Sequence, residues 1–123
     1  MSALSSYRKE VRIDPRLPWL ADLRRVLSPM AGVTDRPFRE ICRRFGADMG
    51  FCEFASAAGL SYGGEATWQL VDTEGEEGLV GIQIFGSDPE HMGSATRLLN
   101  PRRMDVLDIN FGCPAKKVVK KCG

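Results

Sequence analysis

Four short apolar runs recur along this chain: Val26 to Met30, Met49 to Phe54, Leu79 to Phe85 and Met104 to Asn110. Their starts lie about 25–30 residues apart, the length of one βα unit. The runs are rich in Val, Ile and Leu rather than alternating with polar residues. That texture fits parallel strands covered on both faces.

The stretches between them carry helix signals. Thr34 is placed as an N-cap, with Pro37 tolerated in the first turn. Phe38, Ile41, Cys42 and Phe45 follow at helical spacing and predict one apolar face, with Gly46 as the stop. A further helix is expected within residues 61–71, its start blurred by Gly63-Gly64. Asp88-Pro89 predicts a cap followed by proline at the first helical position. Met92, Ala95, Leu98 and Leu99 then give that helix a buried face, and Asn100-Pro101 closes it. Residues 1–24, broken by Pro15 and Pro18, read as a lead-in.

The predicted order is β-α-β-α-β-α-β. Two architectures use it: a doubly wound open sheet and a (β/α)8 barrel. The turn after the first run reads SPMAGVTD, with no GxGxxG, and no GxxxxGK[ST] occurs anywhere. The barrel is therefore expected. A whole barrel takes about 250 residues, so residues 25–123 are expected to supply its first four βα units, as an N-terminal fragment.

Composition excludes several classes. Hydrophobic residues are 43% and charged residues 27%, ordinary soluble usage. No apolar run reaches the roughly 18–20 residues of a membrane span. The start has no apolar stretch of signal-peptide length, so a cytoplasmic protein with free thiols is expected. The cysteines at 42, 52, 113 and 122 form no CxxC pair and there is one histidine, which argues against a metal site. Net charge is +1, but residues 1–25 carry +3, 26–96 carry −7 and 97–123 carry +5. A polyanion would meet the ends of the chain.

In a barrel, chemistry sits where strands end. At the first such end, Ser28-Pro29-Met30-Ala31-Gly32 permits close approach of a flat ligand, although an ordinary tight turn uses the same residues. Glu53 ends the second run, as a site residue or as a core acid with partners. Gln83 lies mid-strand between Ile82 and Ile84, where its amide needs partners from a heteroaromatic ring or from neighbouring backbone. The fourth run ends in DINFGCPAKK. Asn110 offers a donor and an acceptor there. Cys113 stands between Gly112 and Pro114, close in sequence to Lys116, Lys117, Lys120 and Lys121, a setting that tunes a thiol for proton transfer. Cys122 lacks that setting.

Three segments, SPMAGVTDRPFR, GIQIFGSDPE and DINFGCPAKKV, in this order resemble the tRNA-dihydrouridine synthase family. They span residues 28–118, and the last, with its GCPAKKV loop, is most similar to the bacterial broad-family type. The resemblance implies a flavin enzyme on a (β/α)8 barrel. FMN, reduced by NADPH, would deliver hydride to C6 of a uracil base in tRNA, and a cysteine would protonate C5. The catalytic cysteine falls on Cys113. The flavin contacts fall on Pro29, Met30, Ala31 and Gln83, and the asparagine beside flavin and base on Asn110. Lys116 and Lys117 are placed to meet RNA phosphates. The later strands and the helical tRNA-binding domain of the family have no counterpart here, so the chain is expected to bind FMN poorly and to be inactive alone. Two other readings stay open: another FMN barrel acting on free pyrimidines, and a non-catalytic RNA-binding remnant.

Overall fold

The structure, a computed structural model, describes residues 14–112. A 3₁₀ turn over Pro18–Asp22 leads into β1 (Val26–Leu27), then α1 (Arg36–Arg44), β2 (Met49–Phe51) and β3 (Ala55–Ser56). After these come α2 (Ala57–Ser61), α3 (Glu65–Leu70), β4 (Leu79–Phe85), α4 (Pro89–Leu99) and β5 (Val106–Ile109).

All five strands are parallel, and β4 is the centre of the sheet. β2 pairs with its first half (Met49↔Leu79 to Phe51↔Gly81) and β3 with its end (Ala55↔Ile84, Ser56↔Phe85). β5 takes the other edge, from Gly81↔Val106 to Ile84↔Ile109. Gly81 and Ile84 each pair on both sides, so β2 and β3 share one edge of β4. They are two pieces of a single strand, broken by a bulge. Three residues, Cys52, Glu53 and Phe54, stand opposite two, Ile82 and Gln83. With β1 on β2, each successive strand therefore adds to the same side of the sheet. A doubly wound sheet instead brings a later strand back beside the first. In-order parallel addition is the pattern of a (β/α) barrel wall.

The helices cover one face. Val80, Ile82 and Ile84 point to it and are fully buried against Leu60 of α2 and Ala95 and Leu99 of α4. The alternate positions Leu79, Gly81, Gln83 and Phe85 line the opposite face. Gly81 is required there, because a Cβ would lie 2.3 Å from the Phe51 ring.

Several sequence expectations need correction. Asp35, not Thr34, caps α1: its carboxylate accepts from the Phe38 N–H at 3.0 Å. Thr34 is fully buried and its hydroxyl serves Met30 instead. The expected apolar face of α1 points outward among the described residues, with Phe38, Ile41 and Phe45 exposed at 36%, 51% and 87%. The buried residue of the helix is Arg39. Glu76 is the cause. It is buried in the turn before β4 and draws in the Arg39 guanidinium through two hydrogen bonds of 2.7 Å. Arg43 reaches the same carboxylate at 2.8 Å. Gly50 lies beneath, where a Cβ would sit 3.3 Å from Arg39 Cδ. The helix expected within 61–71 is present as α3, but a short helix not expected from the sequence, α2, precedes it, parted from it at Gly63, whose φ of +74° suits glycine. Leu98 is exposed rather than buried. β4 and the capped α4 stand where the sequence places them, with Asp88 accepting from the Glu90 N–H at 2.8 Å.

Candidate active site

The carboxyl ends of the strands carry two sets of polar groups. The loop after β1 is the first part. Met30 accepts at its carbonyl from the N–H groups of Val33 and Thr34, at 3.1 and 3.0 Å. Its own N–H donates to Thr34 Oγ1 at 3.0 Å. The Thr34 carbonyl in turn accepts from Arg39 Nη1 at 2.7 Å, so the buried ion pair reaches this loop. Gly32, at φ +73°, turns the chain and donates its N–H to Glu53 Oε1. Glu53 belongs to the bulge between β2 and β3. An insertion that re-aims a side chain at a strand end is a common use of a bulge. Met30 and Ala31 remain exposed and Pro29 is half-buried.

The second part lies on β4 and β5. Register puts Gln83 opposite Asp108, on the face away from the helices. Gln83 Nε2 donates to Asp108 Oδ2 at 2.7 Å, and Gln83 Oε1 accepts from Asn110 Nδ2 at 3.2 Å. Asn110 Oδ1 accepts from the Gly112 N–H at 2.9 Å, and the Asn110 N–H donates to the Ile84 carbonyl at 2.9 Å. Gln83, Asp108 and Asn110 are all half-buried.

Of the residues singled out in sequence, Gln83 and Asn110 are thus in direct contact. Pro29, Met30 and Ala31 lie on the same strand-end edge of the sheet, in the loop that Gly32 ties to Glu53. Cys113, Lys116 and Lys117 lie outside the described residues. Sequence reading missed Asp108 as a partner, although its spacing of two from Asn110 and its parallel register with Gln83 carry the signal. It also missed Thr34 and the Arg39–Glu76 pair behind the loop. A cleft lined by Glu65, Trp68, Thr73 and Arg102 lies at the opposite, amino-terminal edge of the sheet and includes none of these groups.

The donor set fits a flavin ring system. The pyrimidine edge of that ring alternates carbonyl acceptors with an N–H donor, and a primary amide supplies both complements. The two bonds made by Gln83 use one of its two N–H groups and one lone pair. The loop at Met30 to Gly32 is exposed, and a Cβ at Gly32 would meet nothing within 4 Å. Among the described residues no group of three or more His, Cys, Asp or Glu could hold a metal, and no helix is long and apolar enough to cross a membrane.

A protein-family model, Dihydrouridine synthase, matches residues 26–123. The chain belongs to the dihydrouridine synthase family. It is 47% identical over 96 residues to tRNA-dihydrouridine synthase B of Vibrio parahaemolyticus, covering 78% of this chain and 30% of that protein. The Vibrio vulnificus protein of the same name is 46% identical over the same length and shares. The Pseudomonas aeruginosa protein of that name is 38% identical over 104 residues, 85% of this chain and 31% of its own length. The chain thus spans about 30% of the length of the curated relatives it matches. Within the dihydrouridine synthase match lie both parts of the strand-end site, from Pro29 to Gly112.

Proposed function

We propose that residues 25–123 form the first half of a (β/α)8 barrel in a flavin-dependent tRNA-dihydrouridine synthase. The observation that carries this reading is the Gln83–Asn110 amide pair at 3.2 Å on the strand-end edge, inside the span that matches the family. The in-order parallel strands support the barrel. The reaction adds hydride at C6 and a proton at C5 of a uracil ring in tRNA, with FMN as hydride carrier and NADPH as reductant. Pro29, Met30 and Ala31 would shape the floor under the flavin ring, and Gln83 would bind its polar edge. Asn110 would orient ring and base together.

Hydride addition at C6 leaves enolate character at C5, because the double bond is conjugated to a carbonyl. A general acid must quench it, and the thiol of Cys113 is that acid. The target base lies in folded RNA and must be turned out to reach the site. Lys116 and Lys117 would meet the flanking phosphates. A tRNA enzyme of this kind works in the cytoplasm. The 123 residues alone would bind FMN weakly and turn over no tRNA, since the part of them that matches covers 30% of the Vibrio parahaemolyticus relative.

A chimera tests the function. Residues 26–123 replace the matching segment of the Vibrio parahaemolyticus relative, and dihydrouridine in tRNA is measured by mass spectrometry. The chimera is expected to form dihydrouridine, and Cys113→Ala to abolish it while flavin stays bound. Full activity in the Cys113→Ala chimera contradicts the role given to that thiol.

A further inference from the structure

We propose that Asp108 is a positioning residue of this site, one of two anchors, with the Gly112 N–H, that fix the direction of the hydrogen bonds in the Asp108–Gln83–Asn110–Gly112 ladder. The proposal deepens the flavin reading above and rests on it for its function.

A carboxylate accepts and does not donate. The end of the Gln83 amide that meets Asp108 Oδ2 at 2.7 Å must therefore be Nε2. Its other end, Oε1, is then an acceptor facing Asn110, so Asn110 must present Nδ2, at 3.2 Å. That turns Asn110 Oδ1 toward the Gly112 N–H, which donates at 2.9 Å. Backbone N–H can only donate, so both ends of the ladder agree. Gln83 and Asn110 are each a primary amide and could stand either way round by themselves. The acid at one end and the backbone at the other remove that freedom.

The consequence falls on the two groups the reaction uses. A ring meeting Gln83 finds one fixed pattern of donor and acceptor. Gly112, the neighbour of Cys113 in sequence, is held through Asn110 to β4. Asp108→Asn keeps the shape and removes one anchor: an amide at 108 can donate or accept, so only the Gly112 N–H still opposes the reversed ladder, which forfeits its bond to Asn110.

The test uses the 123-residue chain, labelled with nitrogen-15, and reads amide resonances and hydrogen exchange. In Asp108→Asn, the Gly112 N–H is expected to exchange about tenfold faster, the factor for one net hydrogen bond. The side-chain amides of Gln83 and Asn110 should each broaden or double. The double variant Asp108→Asn with Gln83→Glu moves the carboxylate one step along the ladder and restores the direction. It should return Gly112 exchange to the wild-type rate, which a merely structural loss would not do. Unchanged Gly112 exchange in Asp108→Asn overturns the proposal. So does failure of the double variant to restore it while the chain's resonances remain dispersed.

Flavin titration of the chimera carrying the same substitutions separates this from the reading beneath it. A restored ladder with flavin binding still weakened supports both, because a carboxylate at 83 cannot donate to the ring. Undiminished flavin binding in the double variant leaves the ladder standing and removes Gln83 from the flavin site.

Discussion

Burial strips Glu76 of its hydration, and three nitrogens replace the lost water: Arg39 Nε and Nη2 at 2.7 Å and Arg43 Nη1 at 2.8 Å. Burial alone would raise its carboxyl pKa. The arginine hydrogen bonds outweigh that and hold it below the ordinary 4.5. On Arg39 burial likewise works against the charge, and the bonds it donates to Glu76 reverse it and raise the guanidinium pKa. A depressed native carboxyl pKa adds stability that is complete above pH 4.5 and is lost as pH falls through the native value. Wild-type urea midpoints should therefore fall below pH 4.5, and Glu76→Gln should flatten that fall. The same substitution at pH 7 should cost about 3–5 kcal/mol in urea unfolding, the usual cost of orphaning a buried charge. Cys52 is fully buried, and burial pushes its thiol up to about 11. It should resist iodoacetamide at pH 8 in the native chain, and peptide mapping of the labelled protein checks this. Rapid alkylation there would contradict the packing around it. At this scale Gln83 and Asn110 were legible, since an amide inside an apolar run demands a partner. Arg39 and Glu76 were not. They lie 37 positions apart, and a helical periodicity sees only the polarity of one helix, so it turned α1 the wrong way.

Strands and caps were the legible elements. β4 runs over Leu79–Phe85 as its apolar composition and the flanking glycines indicate. Asp88 and Pro89 start α4 because a carboxylate satisfies an N–H that the helix leaves unpaired. Asp88→Ala should therefore cost about 1 kcal/mol, read as a lower thermal midpoint. The bulge at Cys52–Phe54 was hidden, because an inserted residue shows only against the register of its partner strand. Close packing of β2 on β4 was hidden for the same reason. Gly81→Ala puts a methyl against the Phe51 ring, whose Cε1 would be 2.3 Å away. It should cost about 1–3 kcal/mol by overpacking. Phe51→Leu in the same chain should recover part of that loss, and a double-mutant cycle from urea unfolding measures it. Additive losses would mean the ring and the glycine do not meet.

For the molecule as a whole, strand order is what supports the proposed barrel. Alternating β and α signals allow two parallel folds, and only the pairing of β5 with β4, rather than with β1, separates them. The absence of a dinucleotide fingerprint had pointed the same way from sequence. The strand-end edge then gathers residues of all three motif segments because parallel strands all finish on one side. Central to the account is the claim that this edge, through Gln83, holds a flavin. The direct measurement is the visible spectrum, after gel filtration, of the chimera, its Gln83→Leu variant and the 123-residue chain, each first incubated with FMN. The account predicts a yellow chimera, a variant that has lost most of its flavin, and a colourless short chain. A Gln83→Leu chimera as yellow as its parent would contradict it.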